Sequence, residues 1–254
     1  MEEVNALIYG NAMQFKFQPI VSAVDGSIFG YEALIRSNVP GLESPWDIIN
    51  LAAENSMLDQ LETKIKLHLL EEYKQKSERF KGRCLFINAI AESAIDEESY
   101  DLMRENYEEI LPRVIIEISE REKRSTDMIE SKGKFIRKQG GKVAIDNYGA
   151  GFHSKETIFS FQPDYIKIDV CIISRLDQDE ECVDFLRDFI AEAHSRNIKV
   201  IALGIERSTQ LELAVQLGVD YMQGFYIMHP EFEIKEDMDD NLKKQILEIH
   251  DQKK

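Results

Sequence analysis

The sequence is poor in the residues that build disulfide frameworks, zinc sites and membrane spans. Its three cysteines form no C-x-x-C pair and its five histidines no H-x-x-x-H pair, so neither a disulfide framework nor a zinc site is indicated. No run approaches the roughly 20 apolar residues that cross a bilayer. The start Met1-Glu-Glu-Val lacks the basic residues of a secretory signal. We therefore expect a cytoplasmic protein without membrane insertion.

Basic residues are also fewer than acidic ones. The chain has 31 Lys and Arg against 47 Asp and Glu, a formal charge of −16. Because a binder of duplex nucleic acid needs a basic face for the phosphates, we expect no duplex nucleic acid as a partner. A hydrophobic content of 43% is enough for a sizeable core, and no linker rich in Pro, Gly or Ser divides the chain. The composition predicts one globular domain.

Short apolar runs alternate with longer stretches of helical spacing. The first two predicted strands, Phe15–Val24 and Ser27–Arg36, are joined by Asp25-Gly26, a dipeptide typical of tight hairpins. Six further strands are predicted at Cys84–Asn88, Val114–Ser119, Lys142–Asp146, Tyr165–Asp169, Lys199–Ala202 and Tyr221–Gly224. Helices are predicted between them at Ile48–Glu54, Asp59–Lys76, Tyr100–Glu109, Glu181–Ser195 and Thr209–Leu217. Since no G-x-G-x-x-G follows the first strand, the pattern favours a β/α barrel over a doubly wound sheet.

Polar residues stand at the ends of these strands, where a β/α barrel carries its chemistry. They are Glu32, Asn88, Glu117, Glu120, Asp146, Lys167, Glu206 and Gln223. A strand covered on both faces carries a charge only where something pairs with it. Oxygen ligands without histidine or cysteine suit Mg²⁺ or Mn²⁺, ions that commonly serve phosphate chemistry. A salt bridge explains any single one of these residues more simply, but the ordered set favours a metal site.

Several dispersed motifs resemble, in the same order, those of the EAL domain family. They are Phe17-Gln-Pro-Ile20, Tyr31-Glu-Ala-Leu-Ile-Arg36, Ile116-Glu-Ile-Ser-Glu120, Asp146-Asn-Tyr-Gly-Ala-Gly151, Asp164-Tyr-Ile-Lys-Ile-Asp169, Ala202-Leu-Gly-Ile-Glu206 and Gln223-Gly-Phe. The resemblance implies an α/β fold, a modified TIM-type (β/α)8 barrel with one antiparallel strand. Active members of the family hydrolyse cyclic di-GMP to the linear dinucleotide with Mg²⁺ or Mn²⁺. We predict one such domain over residues 1–254, with a core at about 15–230 and a C-terminal helix at 233–250.

The resemblance also assigns roles to individual residues. It implies a metal site formed by Glu32, Asn88, Glu117 and Asp146. It implies contacts to the substrate from Gln18, Glu32, Leu34, Arg36 and Gln223, with Arg36 on a phosphate. Lys167 and Glu206 would take catalytic roles, Lys167 by orienting the attacking water or offsetting developing charge.

Two positions depart from the pattern of the family's active members. Asn147 stands where those members have the second of two aspartates, and Leu203 stands where they have the first glutamate of Glu-Gly-Val-Glu. The acids left to face metals are Glu32, Glu117 and Asp146, whose charge neutralises one divalent cation but not two. We therefore expect one metal site, and the sequence argues against a second.

Three functions are open from the sequence. The first is a domain that binds cyclic di-GMP with weak or no phosphodiesterase activity, because Asn147 and Leu203 replace catalytic acids. The second is an active, metal-dependent phosphodiesterase that yields linear pGpG. The third is a protein-interaction platform that needs no nucleotide. The resemblance further implies a homodimer, and a signalling protein is a possible partner.

Overall fold

Eight strands close a barrel in chain order in the computed structural model, which describes residues 2–90, 93, 97–120, 126–151 and 153–252. The strands are β1 (Met13–Ser22), β2 (Ile28–Ser37), β3 (Cys84–Asn88), β4 (Val114–Ser119), β5 (Lys142–Tyr148), β6 (Tyr165–Ile168), β7 (Lys199–Ala202) and β8 (Tyr221–Met222). The helices are α1 (Glu2–Ile8), α2 (Pro45–Glu54), α3 (Leu58–Gln75), α4 (Ser77–Phe80), α5 (Glu97–Tyr107), α6 (Thr126–Lys138), α7 (Lys155–Ser160), α8 (Val170–Ile173), α9 (Glu180–Ser195), α10 (Ser208–Leu217) and α11 (Asp240–Gln252). The predicted barrel is confirmed.

One strand runs against the others, as predicted. β1 pairs antiparallel with β2 over most of its length and with β8 at its last two residues, whereas β2 to β8 pair in parallel. The hairpin between β1 and β2 turns at Gly26, whose φ of +68° lies in the left-handed region. The carboxylate of Asp25 accepts the N–H of Ser27 and fixes this turn.

The bounds of several elements differ from the predicted ones by two or three residues, and the start of the C-terminal helix differs most. It begins at Asp240 instead of residue 233, because the preceding segment is held along the barrel. Glu231 forms an antiparallel bridge with Phe17 of β1, and the carbonyl of Lys235 accepts the hydroxyl of Tyr31 at 2.7 Å. Asp239 then caps α11, since its carboxylate accepts the N–H groups of residues 241 and 242.

The barrel interior contains a layer of apolar side chains, which we call the lower ring. Its buried members are Ile20, Phe86, Ile115, Ala144, Tyr165 and Ile201. A larger apolar cluster includes residues from both the strands and the surrounding helices. None of the helices in the described ranges combines the length and the apolar character that crossing a bilayer requires. Because strand side chains alternate between faces, the residues two positions beyond the lower ring again face the interior.

Candidate active site at the carboxyl ends of the strands

A second layer of side chains, mostly polar, follows the lower ring towards the carboxyl ends of the strands. In five strands the alternation is explicit: Phe86 is followed by Asn88, Ile115 by Glu117, Ala144 by Asp146, Tyr165 by Lys167 and Ile201 by Leu203. We call the layer formed by Gln18, Glu32, Asn88, Glu117, Asp146, Lys167, Leu203 and Gln223 the upper ring. Leu203 is its apolar member, and it packs against the lower ring.

Lys167 lies at the centre of the charges in the upper ring. Its Nζ is 2.5 Å from Oε1 of Glu117, 2.9 Å from Oε2 of Glu32 and 3.3 Å from Oδ1 of Asp146. The lysine side chain is 1% exposed. One ammonium against three carboxylates leaves a formal charge of 1 − 3 = −2, which water screens poorly at this depth.

The pKa values of these four groups are shifted by their burial and by this excess of negative charge. Burial and the neighbouring charge of Glu32 raise the pKa of Glu117 well above its usual range, and burial raises the pKa of Asp146. Burial also acts against ionisation of Glu32, but the Lys167 ammonium and three hydrogen bonds bring the pKa of Glu32 below its usual value. The three carboxylates together hold the pKa of Lys167 well above normal despite its burial. The ring therefore holds more negative charge than its own ammonium can offset.

Side-chain amides orient the carboxylate of Glu32. Nε2 of Gln223 donates to Oε2 of Glu32 at 2.9 Å and to Oε1 of Gln18 at 3.0 Å, and Nδ2 of Asn88 donates to Oε1 of Glu32 at 3.1 Å. Gln18 in turn donates to the carbonyl of Met228 at 3.0 Å. These bonds bring the predicted residues of four strand ends into one connected network.

The residues present fit one divalent cation. Oε2 of Glu117 is buried without a hydrogen-bond partner among the described residues, and Oδ1 of Asp146 has only its ion pair with Lys167. Within the described ranges no three acidic, histidine or cysteine side chains already converge as a metal cage, and Lys167 lies among the three carboxylates instead. An orphaned carboxylate oxygen and a net charge of −2 are what a hard dication with oxygen ligands requires.

Asn147 and Leu203 bring no carboxylate to the carboxyl ends of the strands. Asn147 has a φ of +60°, a conformation that Asn and Asp tolerate better than other side chains with a Cβ. Its Nδ2 donates a hydrogen bond to Oδ2 of Asp146, so the amide acts as a donor beside a carboxylate. Leu203 occupies its place in the upper ring without any oxygen. Neither side chain can take a proton from water.

The family model of the EAL domain matches residues 1–230 of this chain. The chain belongs to the EAL domain family.

Named relatives and solved structures agree with this membership. The chain is 25% identical over 221 residues to a probable cyclic di-GMP phosphodiesterase, PdeG, of Escherichia coli K12, covering 84% of this chain and 44% of PdeG. Two solved structures share the fold. The FimX EAL domain of Pseudomonas aeruginosa bound to c-di-GMP is 20% identical, with a TM-score of 0.76, and the match covers 93% of this chain and all of that one. Klebsiella pneumoniae BlrP1 as a manganese/c-di-GMP complex is 24% identical, with a TM-score of 0.76, and the match covers 87% of this chain and 57% of that one. The chain spans less than half the length of the first curated relatives it matches.

In this EAL domain the other predicted contact residues extend outward from the upper ring along β2. Leu34 and Arg36 follow Glu32 at alternate positions and are partly exposed. The guanidinium of Arg36 donates to the carbonyl of Ile35 at 2.7 Å, and partial burial lowers the pKa of Arg36. Across the hairpin Lys16 pairs with Leu34, so a second basic residue lies between the level of Arg36 and the level of Glu32.

Glu206 lies outside the upper ring. It is exposed in the connection between β7 and α10, and its N–H donates to the side chain of Gln210 at 2.8 Å. Within the described part of the chain, none of its contacts reaches Lys167 or the three carboxylates. A catalytic role for Glu206 stays a prediction.

Glu120 has a role in the EAL site that the sequence did not reveal. It is 2% exposed, and its two carboxylate oxygens accept the N–H groups of Gly149 and His153, each at 3.0 Å. A Cβ at Gly151 would lie 2.3 Å from the carbonyl oxygen of Glu120, so glycine permits this close approach. Glu120 therefore fastens the loop that follows Asp146 and Asn147. The available signal was its spacing: it follows Glu117 by three residues, beyond the end of an apolar strand.

Proposed function

We propose that this EAL domain binds cyclic di-GMP at the carboxyl ends of its strands, together with one Mg²⁺ or Mn²⁺ ion, and hydrolyses the nucleotide weakly or not at all. The observation that carries the proposal is the composition of the upper ring. It keeps three carboxylates and Lys167 in contact, but has an amide donor beside Asp146 and an apolar side chain at position 203.

An anionic ligand finds its positive contacts outside the carboxylate cluster. Arg36 and Lys16 belong to the β1–β2 hairpin, on the side from which a ligand would enter the barrel. Arg36 follows Glu32 by four residues, a distance along the strand of about 13 Å at roughly 3.3 Å per residue. A cyclic dinucleotide with two phosphates is long enough to touch both Arg36 and the upper ring.

Four residues would hold the cation: Glu32, Asn88, Glu117 and Asp146. A bound divalent cation polarises a phosphodiester and lowers the pKa of a coordinated water. Lys167 would stay in contact with the same carboxylates and offset the negative charge that remains on them when one dication is bound. It could also offset negative charge that develops on a phosphate. Gln18 and Gln223 keep Glu32 oriented through their amides.

Hydrolysis is weak because the two side chains at positions 147 and 203 cannot accept a proton from an attacking water. The Asn147 amide is a hydrogen-bond donor to Asp146, and Leu203 has no polar atom. Loss of a general base costs about a hundredfold to ten-thousandfold in rate.

The active phosphodiesterase, which yields linear pGpG, is the second candidate, because Glu32, Glu117, Asp146 and Lys167 are all brought together. A homodimer and a signalling protein partner stay predictions.

Titration calorimetry with cyclic di-GMP and Mg²⁺ tests the binding proposal. The expected result is saturable binding that Arg36→Ala weakens about tenfold to a hundredfold, as expected for a lost charge-assisted hydrogen bond of about 1.5–3 kcal/mol. Arg187→Ala is the control, because Arg187 is exposed on α9 and pairs with Asp184. Absence of heat at micromolar protein would overturn the proposal and favour the nucleotide-independent platform.

A further inference from the structure

A second buried ionic cluster lies outside the barrel, between α3, α5 and α6. Its members are Glu62, Lys66, Ser93, Tyr100 and Lys132, each between 4% and 9% exposed. Burying an ammonium is costly unless charge and hydrogen bonds compensate it. The upper ring uses none of these residues, although the cluster adjoins the turn that follows β3.

Two lysines share the carboxylate of Glu62 but differ in what else they bind. Nζ of Lys66 is 2.5 Å from Oε1 of Glu62 and 2.8 Å from the hydroxyl of Tyr100. Nζ of Lys132 is 3.3 Å from Oε2 of Glu62, and it donates to the carbonyl of Ile90 at 3.0 Å and to Oγ of Ser93 at 3.2 Å. Lys66 therefore joins two helices, whereas Lys132 also joins a helix to the backbone of the β3–α5 turn.

Asn88, the metal ligand under the proposed function, is the last residue of β3 and directly precedes this turn. Asn88 and Glu117 are paired residues of β3 and β4, and the N–H of Ala89 donates to the carbonyl of Glu117 at 2.9 Å. One residue later, Lys132 holds the carbonyl of Ile90, which also accepts the hydroxyl of Ser93 at 3.1 Å. The turn is thus held by β4 on one side and by the buried ammonium on the other.

We infer that Lys132 is a positioning residue for Asn88: its buried ammonium fixes the carbonyl of Ile90 and so holds the Asn88 side chain at the metal site. The inference rests on the proposed function for what Asn88 binds, but the clamp on the turn is independent of any ligand. Removal of a residue that orients a metal ligand typically lowers the affinity of the site for the metal tenfold to a hundredfold.

The decisive comparison is Lys132→Met against Lys66→Met. Both variants replace a lysine that is 5% exposed with an unbranched apolar side chain, and both remove one ion pair to Glu62. Only Lys132 holds the turn. We expect amide hydrogen exchange at residues 88–90 and 93 to rise about tenfold or more in Lys132→Met and to match the wild type in Lys66→Met. Ser93→Ala, a milder change, raises exchange in the same segment to a smaller extent.

A second readout is Mn²⁺ affinity measured by calorimetry without nucleotide. Lys132→Met weakens it about tenfold, Lys66→Met leaves it unchanged, and in an Asn88→Ala background Lys132→Met has no further effect. Equal exchange in the two lysine variants overturns the inference, because the cluster then only stabilises the helices. If the wild type binds no Mn²⁺, the proposed metal site fails, while the exchange comparison still decides whether Lys132 clamps the turn.

Discussion

Lys167 is the residue on which the charges of the upper ring depend. Its ammonium contacts all three carboxylates and is 1% exposed. Removal of one partner from a buried ion pair costs about 3–5 kcal/mol, since the remaining charges stay in a poorly polarisable interior. We expect Lys167→Met to lower the free energy of unfolding of the metal-free protein by about that amount in urea titrations near pH 7.

The control for this substitution is Lys155→Met, which breaks a salt bridge to Glu192 at the surface. Exposed pairs contribute little, so this variant should unfold at nearly the urea concentration of the wild type. Mn²⁺ should restore more stability to Lys167→Met than to the wild type, because the cation replaces the lost positive charge. Equal urea midpoints for Lys167→Met and Lys155→Met would contradict the electrostatic role of Lys167.

Glu117 makes the stability of the metal-free protein depend on pH. Burial and the charge of Glu32 raise the pKa of Glu117 well above its value of 4.5 in an unfolded chain, so the folded state binds this proton more tightly. The stabilisation is complete below pH 4.5 and is lost as pH rises towards the folded pKa. We expect the free energy of unfolding to fall less with pH in Glu117→Gln than in the wild type. A parallel pH dependence of the two proteins would refute the assignment.

At the scale of elements, the loop between β5 and α7 depends on Glu120. Replacing Glu120 with Gln turns one accepting oxygen into a donor that faces a backbone N–H, either that of Gly149 or that of His153. A buried unsatisfied group costs about 1–3 kcal/mol. We expect that loss of stability, together with faster hydrogen exchange across residues 147–151 and 153–154. Glu181→Gln, an exposed position on α9, is the control and should change neither. Unaltered exchange in Glu120→Gln would show that the loop is held by other contacts.

The elements that the sequence predicts well are those with continuous apolar runs. The bounds of β3, β4 and β7 match the predicted ones because each run ends where a polar residue or a turn begins. α6 was not predicted, although Ile129 and Ile136 recur at a helical spacing of seven residues, and α7 and α8 are too short for periodicity to show. The start of α11 was wrong because a tertiary contact, the bridge between Glu231 and Phe17, holds the preceding segment.

The members of the upper ring were predictable from the sequence but their partners were not, and Glu206 was predicted in the site although it lies outside the upper ring. Alternation along each strand already places Asn88, Glu117 and Asp146 on the inner face. That Lys167 bonds three acids from different strands depends on the register of the closed barrel, which no local pattern encodes. The same holds for Glu120, whose backbone partners lie 29 and 33 residues further along the chain.

For the whole molecule, the formal charge of −16 sets the conditions for an anionic ligand. Binding must therefore depend on nearby basic side chains and on a metal ion. The upper ring accounts for −2 of this charge, which a divalent metal ion can neutralise. A ligand that binds only the folded state raises the free energy of unfolding by about 2.7 kcal/mol when its free concentration is a hundred times its Kd. For a protein of this size we expect saturating Mn²⁺ to raise the Tm by about 5–10 °C. The Glu117→Gln variant should lose most of that shift, and a wild-type Tm unaffected by Mn²⁺ would exclude the metal site.

Under the proposed function, Asn147 and Leu203 deprive a cyclic di-GMP site of its hydrolytic power. The most direct test compares turnover in the wild type and in the double variant Asn147→Asp with Leu203→Glu. The backbone at position 147 suits aspartate, and position 203 is partly exposed, so both changes are compatible with the fold. With Mn²⁺ present, chromatography should show linear pGpG forming at least about tenfold faster in the variant. Equal inactivity of both proteins, or a wild type that is already as fast as its variant, would contradict the account.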